Sequence, residues 1–355
     1  MYKRKVQVTG GGTYFVTLPK GWAEGTGVGH GVTVTLIPNE VGTLLLVPEG
    51  IRARNRCAIP MDDRDRVHLE RDVIARYIAG YDVIEVVGKR IRPEQRRQVR
   101  QIAQSLVGVE ILEETQEKVV LHSVVNVRDF PVQQSIHRIF DITLAMYNDA
   151  LAAFLARDEE LAQDVIERDG DVDRLVLLVA RQFSLLLRDL LVEEEVGLSR
   201  FQFLHYHTVA DQLERVADHG AKISQAALGL KAPLLESIAK RIQELAAHSR
   251  EVLVQAVKAF EGRDTTLANQ VLSEKEPRGR LLELAQISAA DQPENAHSIS
   301  IVMDSLLRIR EYGFNIAEVA LDAAVSSPRS RRLETSCLPI EFFHFYLQTN
   351  VPATT

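Results

Sequence analysis

The chain of 355 residues is 46% hydrophobic and 26% charged, which excludes fibrous and disordered proteins and leaves room for two or three globular domains. Its apolar runs, such as residues 175–180, are far shorter than the roughly 20 residues of a membrane span, and no apolar signal segment follows Met1, so we expect a cytoplasmic protein without membrane insertion. The net charge of −7 is unevenly distributed: residues 1–100 carry 17 Lys and Arg against 11 Asp and Glu, and the remainder carries 25 against 38, which indicates different partners for the two parts.

Residues 1–50 have the pattern of short strands. Val6 and Val8, and then apolar or β-branched runs at 14–18, 32–37 and 44–47, are separated by glycine clusters. A stretch this short cannot bury an adequate core by itself. We therefore expect the module to form a homodimer.

One stretch of this module, RKVQVTGGGTYFVTLPKGW at residues 4–22, resembles the AbrB/SpoVT family, as do the strands that follow Gly31. The resemblance implies a swapped-hairpin β-barrel, in which two chains interleave their hairpins, and which binds DNA through basic residues near the first strand. Matched to this sequence, the implied DNA-binding residues are Lys3, Arg4, Lys5 and Lys20. Their cationic groups would neutralise phosphates. The alternative is that they only solvate a β-edge.

Residues 51–66 are predicted to be a linker, and residues 67–128 a small α/β domain. A helix ending at Gly80 precedes a strand at 83–87, and a second helix runs from Pro93 to Gly108 before two short strands. The second helix is rich in arginine, at Arg96, Arg97 and Arg100 among others. These guanidinium groups suit phosphate oxygens, or they form a solvated face paired with glutamates of a neighbouring element.

The helical part is an internal repeat, which predicts tandem three-helix bundles at residues 129–233 and 234–324. Phe154, Arg157 and Asp158 recur 106 residues later as Phe260, Arg263 and Asp264, and after a shorter loop Gly220 is answered by Gly313. The middle helix of each copy is predicted to begin with an aspartate as its N-cap. Residues 325–355 form a tail to which no role is assigned.

The segment LERVADH at residues 213–219 is the most specific part of a resemblance to the PhoU family that extends over the helical half. The resemblance implies a regulator of phosphate uptake and phosphate homeostasis that acts through a phosphate transporter, a sensor kinase or both. It also implies acid pairs on the helices, some of which bind metal. The matching positions in this sequence are Asp169 with Asp173, and Glu214 with Asp218.

Carboxylates four residues apart lie on one face of a helix and repel each other unless a cation neutralises them. Oxygen ligands favour Mg²⁺, Mn²⁺ or iron, and Zn²⁺ is a further candidate. The alternative is that these acids only form a solvated helix face. The corresponding positions of the second copy are Lys275, Gly279, Leu307 and Glu311. Three of the four acids are replaced there, so only the first copy is expected to bind metal.

These patterns predict a transcriptional regulator of phosphate uptake that binds DNA through residues 1–50 and senses or docks through the helical domain. Two alternatives remain: a metal-dependent enzyme built on a helical bundle, and a scaffold on a phosphate transporter that does not bind DNA. The acid sites lack the Glu-x-x-His pairs typical of di-iron bundles. We therefore do not expect an enzyme.

Overall fold

The protein divides into two compact units, Met1–Arg56 and Cys57–Thr355. The computed structural model describes residues 2–38, 43–48, 55–61, 66–126, 129–188, 193, 196–274 and 291–325. The tail at 325–355, apart from its first residue, and Lys275 and Gly279 of the second repeat lie outside the described residues.

The N-terminal unit consists of two separate hairpins and one short helix. Strands β1 (Gln7–Val8) and β2 (Tyr14–Phe15) pair antiparallel, as do β3 (Val34–Pro38) and β4 (Leu44–Pro48). Helix α1 (Lys20–Gly25) lies between the hairpins in sequence. No described residue of this unit is buried, so its apolar side chains contribute little to folding in one chain.

The swapped-hairpin barrel expected from the sequence is not formed by the described residues of this single chain. Each hairpin stays two-stranded, and Val8, Tyr14 and Leu36 remain 59%, 74% and 56% exposed. An isolated two-stranded hairpin is marginal in water because it has no second layer against which to bury its apolar face. The strands described in one chain do not close a barrel.

The second unit begins with a four-stranded sheet covered by two helices. Its elements, in chain order, are β5 (Arg56–Pro60), α2 (Arg66–Ile78), β6 (Val83–Val87), α3 (Pro93–Gln104), β7 (Val109–Glu114) and β8 (Lys118–Ser123). The strand order is β5-β6-β8-β7, and β8 is antiparallel to both of its neighbours. Residues 56–60, assigned to a linker from the sequence, join the sheet because Ile59 enters its core.

The remaining elements are helices that share one continuous hydrophobic core. They are α4 (Val132–Ala156), α5 (Glu159–Arg188), α6 (Arg200–Leu228), α7 (Glu236–Gly262), α8 (Thr265–Ser273) and, after a 3₁₀ turn at Pro293–Asn295, α9 (Ala296–Val325). Helix α6 packs against α4, α5 and α9, and α9 also packs against α7 and α8. Among the described helices, α4 is long and apolar enough to cross a membrane, but its Ile136, Ile139 and Phe154 lie in the core of the bundle.

The internal repeat is confirmed at the turn that joins the first two helices of each copy. Arg157 and Arg263, 106 residues apart, both adopt the left-handed conformation, with φ of 57° and 50°. The next residue caps the following helix in both copies. Asp158 accepts a hydrogen bond from the amide of Leu161 at 3.0 Å, and Asp264 accepts one from the amide of Leu267 at 3.0 Å. The same turn is therefore built twice, with the predicted aspartate N-caps.

Arg181 of α5 holds the α/β part against the helical bundle. Its side chain is 3% exposed, and one guanidinium nitrogen donates to the carbonyl oxygens of Tyr77 and Tyr81 at 2.7 and 2.9 Å. The other terminal nitrogen lies 3.5 Å from a carboxylate oxygen of Asp82, and the group stacks 5.0 Å from the ring centre of Tyr77. The planar fork of arginine suits this multiple contact. In the sequence, Arg181 only ended an apolar run.

The two copies differ in how closely their helices approach at the matched glycines. A Cβ on Gly313 would lie 2.9 Å from Cγ1 of Val252 and 3.2 Å from the amide nitrogen of Leu253, whereas a Cβ on Gly220 would meet nothing closer than 3.8 Å. We expect Gly313→Ala to lower the free energy of unfolding by about 1–3 kcal/mol through overpacking. Gly220→Ala should be neutral or stabilising, since alanine favours a helix by roughly 0.5–1 kcal/mol. Thermal unfolding of both variants tests this, and equal melting shifts would contradict it.

Candidate cation and nucleic-acid sites

The four predicted metal-site acids lie on two helices that pack against each other. Asp169 and Asp173 are one turn apart on α5, and Glu214 and Asp218 are one turn apart on α6. We call these four side chains the carboxylate cluster. The four-residue spacing predicted that the two acids of each pair share a helix face. The packing of α5 against α6 is what brings the two pairs together.

The pKa values of the carboxylate cluster are raised by burial and by repulsion among its members. Burial, followed by the charges of Asp173 and Asp218, raises the pKa of Asp169 to about 6. Burial, followed by the charges of Asp218 and Asp173, raises the pKa of Glu214 to about 7. Partial desolvation, ahead of the charge of Asp218, raises the pKa of Asp173 as well, although that residue is exposed overall. The cluster therefore holds more negative charge than its surroundings compensate.

The surroundings of the carboxylate cluster supply little compensation. Oδ1 of Asp169 is buried and has no hydrogen-bond partner. The positive charge of Lys222 lowers the pKa of Asp169, and that of Arg215 lowers the pKa of Glu214, but burial and the neighbouring acids outweigh both. Among the described residues, no three His, Cys, Asp or Glu side chains stand in the geometry of a metal site. The carboxylates are thus neighbours but not a preformed coordination sphere, and a shared ion would require them to turn inward.

The described positions of the second copy have different surroundings. Leu307 is buried in place of Glu214, and Glu311 lies 3.2 Å from a guanidinium nitrogen of Arg308 in place of Asp218. A carboxylate whose charge is already neutralised by a neighbouring cation gains less from binding a metal ion. The last helix of the second bundle therefore does not reproduce the acid pair of the first.

His219, the last residue of the LERVADH segment, is a buried group to which sequence reasoning assigned no role. Burial, aided by the nearby charge of Lys222, lowers its pKa to about 4. Its Nδ1 is buried without a hydrogen-bond partner, and its ring lies 5.8 Å from that of Tyr312 on α9. The imidazole is thus neutral at physiological pH and packs between α6 and α9.

The predicted DNA-binding residues of the N-terminal unit fall into two groups. Lys3, Arg4 and Lys5 are exposed on the extended segment before β1, and none of them forms an ion pair within the described part of the chain. Lys20 begins α1, and its Nζ lies 3.7 Å from a carboxylate oxygen of Glu24. Within the described part of the chain, Lys3, Arg4 and Lys5 therefore form one basic segment without an acidic partner, whereas Lys20 pairs with Glu24.

The arginine-rich helix α3 is paired with the neighbouring strand. Arg96 and Arg100 both contact the carboxylate of Glu114 on β7, at 3.3 and 2.6 Å. Of the two interpretations of this helix, the face paired with glutamate is therefore the one that the contacts support. Arg96 and Arg100 are therefore already neutralised in part by Glu114, which weakens the case for phosphate binding by this helix.

The helices that carry the carboxylate cluster match a known protein family. Residues 136–227 match the family described as the PhoU domain. Two similar solved structures are the phosphate transport system regulatory protein PhoU from Streptococcus pneumoniae and PhoU from Pseudomonas aeruginosa. The first has 20% identity and a TM-score of 0.45, and it covers 55% of this chain and 94% of that one. The second has 18% identity and a TM-score of 0.47, and it covers 55% and 96%.

No curated protein matches the chain. The matched span runs from within α4 to the end of α6 and includes all four acids of the carboxylate cluster. The three-helix segment that contains the cluster is a PhoU-like domain.

Proposed function

We propose that this protein is a cytoplasmic regulator of phosphate transport that acts through its PhoU-like helical domain. The observation that carries the proposal is the match of residues 136–227 to the PhoU domain. By resemblance to that family, the partner is a phosphate transporter, a sensor kinase or both. Regulation of this kind requires binding rather than catalysis, and an enzymatic role is not part of the proposal.

The same proposal gives the N-terminal unit a role in DNA binding as a homodimer. Two observations support it: no described residue of the unit is buried, and Lys3, Arg4 and Lys5 have no acidic partner among the residues that the structure describes. A second copy would cover exposed apolar residues such as Tyr14 and Leu36. It would also present the basic segment twice to a polyanion.

We propose further that the carboxylate cluster binds a divalent cation, with Mg²⁺, Mn²⁺, Fe²⁺ and Zn²⁺ as the ions to test. The buried and unpartnered Oδ1 of Asp169, together with the raised pKa values around it, fits a site that gains from an added positive charge. A bound cation would supply that charge and would stabilise the folded state by mass action. Glu214 and Asp218 would hold it from α6, and Asp169 and Asp173 from α5.

DNA occupancy and phosphate uptake, measured in phosphate-rich and in phosphate-starved cells, distinguish the proposed regulator from its alternatives. We expect the full-length protein to occupy DNA at phosphate-uptake genes in one condition and to leave it in the other. The variant with Lys3, Arg4 and Lys5 replaced by alanine should lose this occupancy. If uptake of labelled phosphate depends on the protein but is indifferent to the triple replacement, the protein is a scaffold on the transporter. If uptake is the same with and without the protein, the proposed function is wrong.

A further inference from the structure

A pocket of about 390 Å³ lies between the last turns of α6 and the first turns of α9. We call it the α6–α9 pocket. Its walls include Lys222, Gln225 and Gly229 from the α6 side, and His297 and Ser298 from α9. This volume lies within the roughly 300–1,000 Å³ range of small-molecule pockets, but the exposed side chains of Lys222, Gln225 and His297 leave the pocket open to solvent. The pocket is separate from the carboxylate cluster, although Lys222 is close enough to influence Asp169.

The polar group that points to a ligand is the hydroxyl of Ser298. The residue is 4% exposed, it lines the pocket, and its hydroxyl makes no hydrogen bond within the described part of the chain. The buried Ser249 of α7, by contrast, donates to the carbonyl oxygen of Leu245 at 2.9 Å. The rest of the side chain is buried, but Oγ opens into the pocket, where solvent or a ligand can bond it.

Gly229 keeps this hydroxyl accessible. A Cβ at that position would lie 3.2 Å from Oγ of Ser298, which is tighter than ordinary van der Waals contact. The backbone φ of Gly229 is −88°, which other residues adopt freely, so the turn itself does not require glycine. The space beside Ser298 is therefore what distinguishes glycine from alanine here.

The charge of the pocket favours an anion. The ammonium group of Lys222 forms no ion pair with any described residue, and the side chains of Gln225 and His297 can donate hydrogen bonds from nitrogen. The pocket also lies at the first turn of the 30-residue helix α9. The N-terminal end of a helix carries partial positive charge, which favours phosphate-like anions. The 3₁₀ turn at Pro293–Asn295 already accepts the amide of Ala296, so this contribution comes from the helix dipole.

We propose that the α6–α9 pocket binds a phosphate group, carried either by inorganic phosphate or by a small phosphomonoester. Lys222 supplies the positive charge, Ser298 and His297 donate hydrogen bonds to the phosphate oxygens, and Gly229 leaves the space that the group enters. This inference goes beyond the proposed function, because it requires neither DNA, nor a transporter, nor a cation in the carboxylate cluster.

Isothermal titration of the full-length protein in metal-free buffer tests the proposal, with inorganic phosphate, adenosine monophosphate and adenosine as probes. We expect the wild type to bind at least one of the two phosphate-bearing probes and not adenosine. Phosphate binding alone identifies the free ion as the ligand, and preference for the nucleotide identifies a monoester. Lys222→Met, Ser298→Ala and Gly229→Ala should each weaken binding by about tenfold or more, because each removes or crowds a contact to a charged group.

Two further variants separate a lost site from a damaged fold. Gly262→Ala is the matched control for Gly229→Ala, since that helix-terminal glycine is exposed and a Cβ there has 4.0 Å of clearance. It should bind as the wild type does. Asp169→Asn should bind phosphate several-fold more tightly, because it removes the negative charge that competes for Lys222, and a misfolded variant would not gain affinity.

The proposal is overturned if the wild type binds neither phosphate-bearing probe, if adenosine binds as tightly as its monophosphate, or if the three pocket variants bind unchanged. A regulator that fails in cells but whose purified form still binds phosphate would refute the proposed function and leave this pocket intact.

Discussion

Replacing Lys3, Arg4 and Lys5 together by alanine is expected to lower the affinity for duplex DNA by about a thousandfold or more at low salt. A dimer would lose three cations from each of its chains, and each phosphate contact contributes about 0.9 to the slope of log affinity against log salt. The slope should therefore flatten by about five. Fluorescence anisotropy with labelled duplex DNA between roughly 50 and 200 mM salt measures both quantities.

Lys20→Ala is the matched control for the triple variant. Lys20 also lies in the N-terminal unit, but Glu24 already compensates its charge at 3.7 Å. Its replacement should change the affinity and the salt slope much less than the triple replacement does. Light scattering should show dimers for the wild type and for both variants, so that lost charge is not confused with lost assembly. Unchanged affinity in the triple variant would mean that the three residues only solvate a β-edge.

The second large effect is expected from Asp169→Asn/Glu214→Gln in the carboxylate cluster. Mn²⁺, Mg²⁺, Fe²⁺ or Zn²⁺ should raise the melting temperature of the wild type, by an amount that grows with free metal and corresponds to about 2.7 kcal/mol at a hundredfold excess over the dissociation constant. The double variant should lose this response and its bound metal. Without metal it should melt higher than the wild type near pH 7, because the repulsion between the carboxylates is relieved.

The pH dependence of the metal-free protein gives a separate test of the same cluster. The folded-state pKa values of Asp169 and Glu214, about 6 and about 7, lie above the values of these groups in an unfolded chain. Their contribution to stability is therefore fully present below about pH 4 and is lost as the pH rises through 6 and 7. His219, with its pKa lowered to about 4, acts in the opposite direction between pH 4 and 6.5. The double variant should lose the first trend and keep the second.

Glu311→Gln provides the control for the cation experiment. Glu311 occupies the position of Asp218 in the second repeat but is paired with Arg308. Its replacement should leave the metal content and the metal-induced melting shift unchanged. If the Asp169→Asn/Glu214→Gln variant also keeps both, the four acids are a solvated helix face, and the proposed cation site is wrong.

Local features of this protein could be predicted from the sequence because they depend on residues close together in the chain. The strand at Val83–Val87, the second helix of the α/β part beginning at Pro93 and the aspartate N-caps at Asp158 and Asp264 lie where the patterns placed them. The internal repeat, with its offset of 106 residues, could also be recognised from the sequence. The same turn occurs in both copies, with Arg157 and Arg263 in the left-handed conformation. Spacing along one helix also identified each acid pair.

What the sequence by itself determined is therefore which residues share a turn, a strand or a helix face. Only the tertiary structure decided which faces meet. Helix periodicity does not specify a partner, so the approach of α5 to α6, and with it the raised pKa values of Asp169 and Glu214, required the packed bundle. For the same reason Arg181 and Ser298 gave no signal in the sequence. Arg181 is buried against Tyr77, 104 residues earlier in the chain, and Ser298 is buried beside Gly229 at the end of α6. Such contacts are set by the packing of distant elements and not by local propensity.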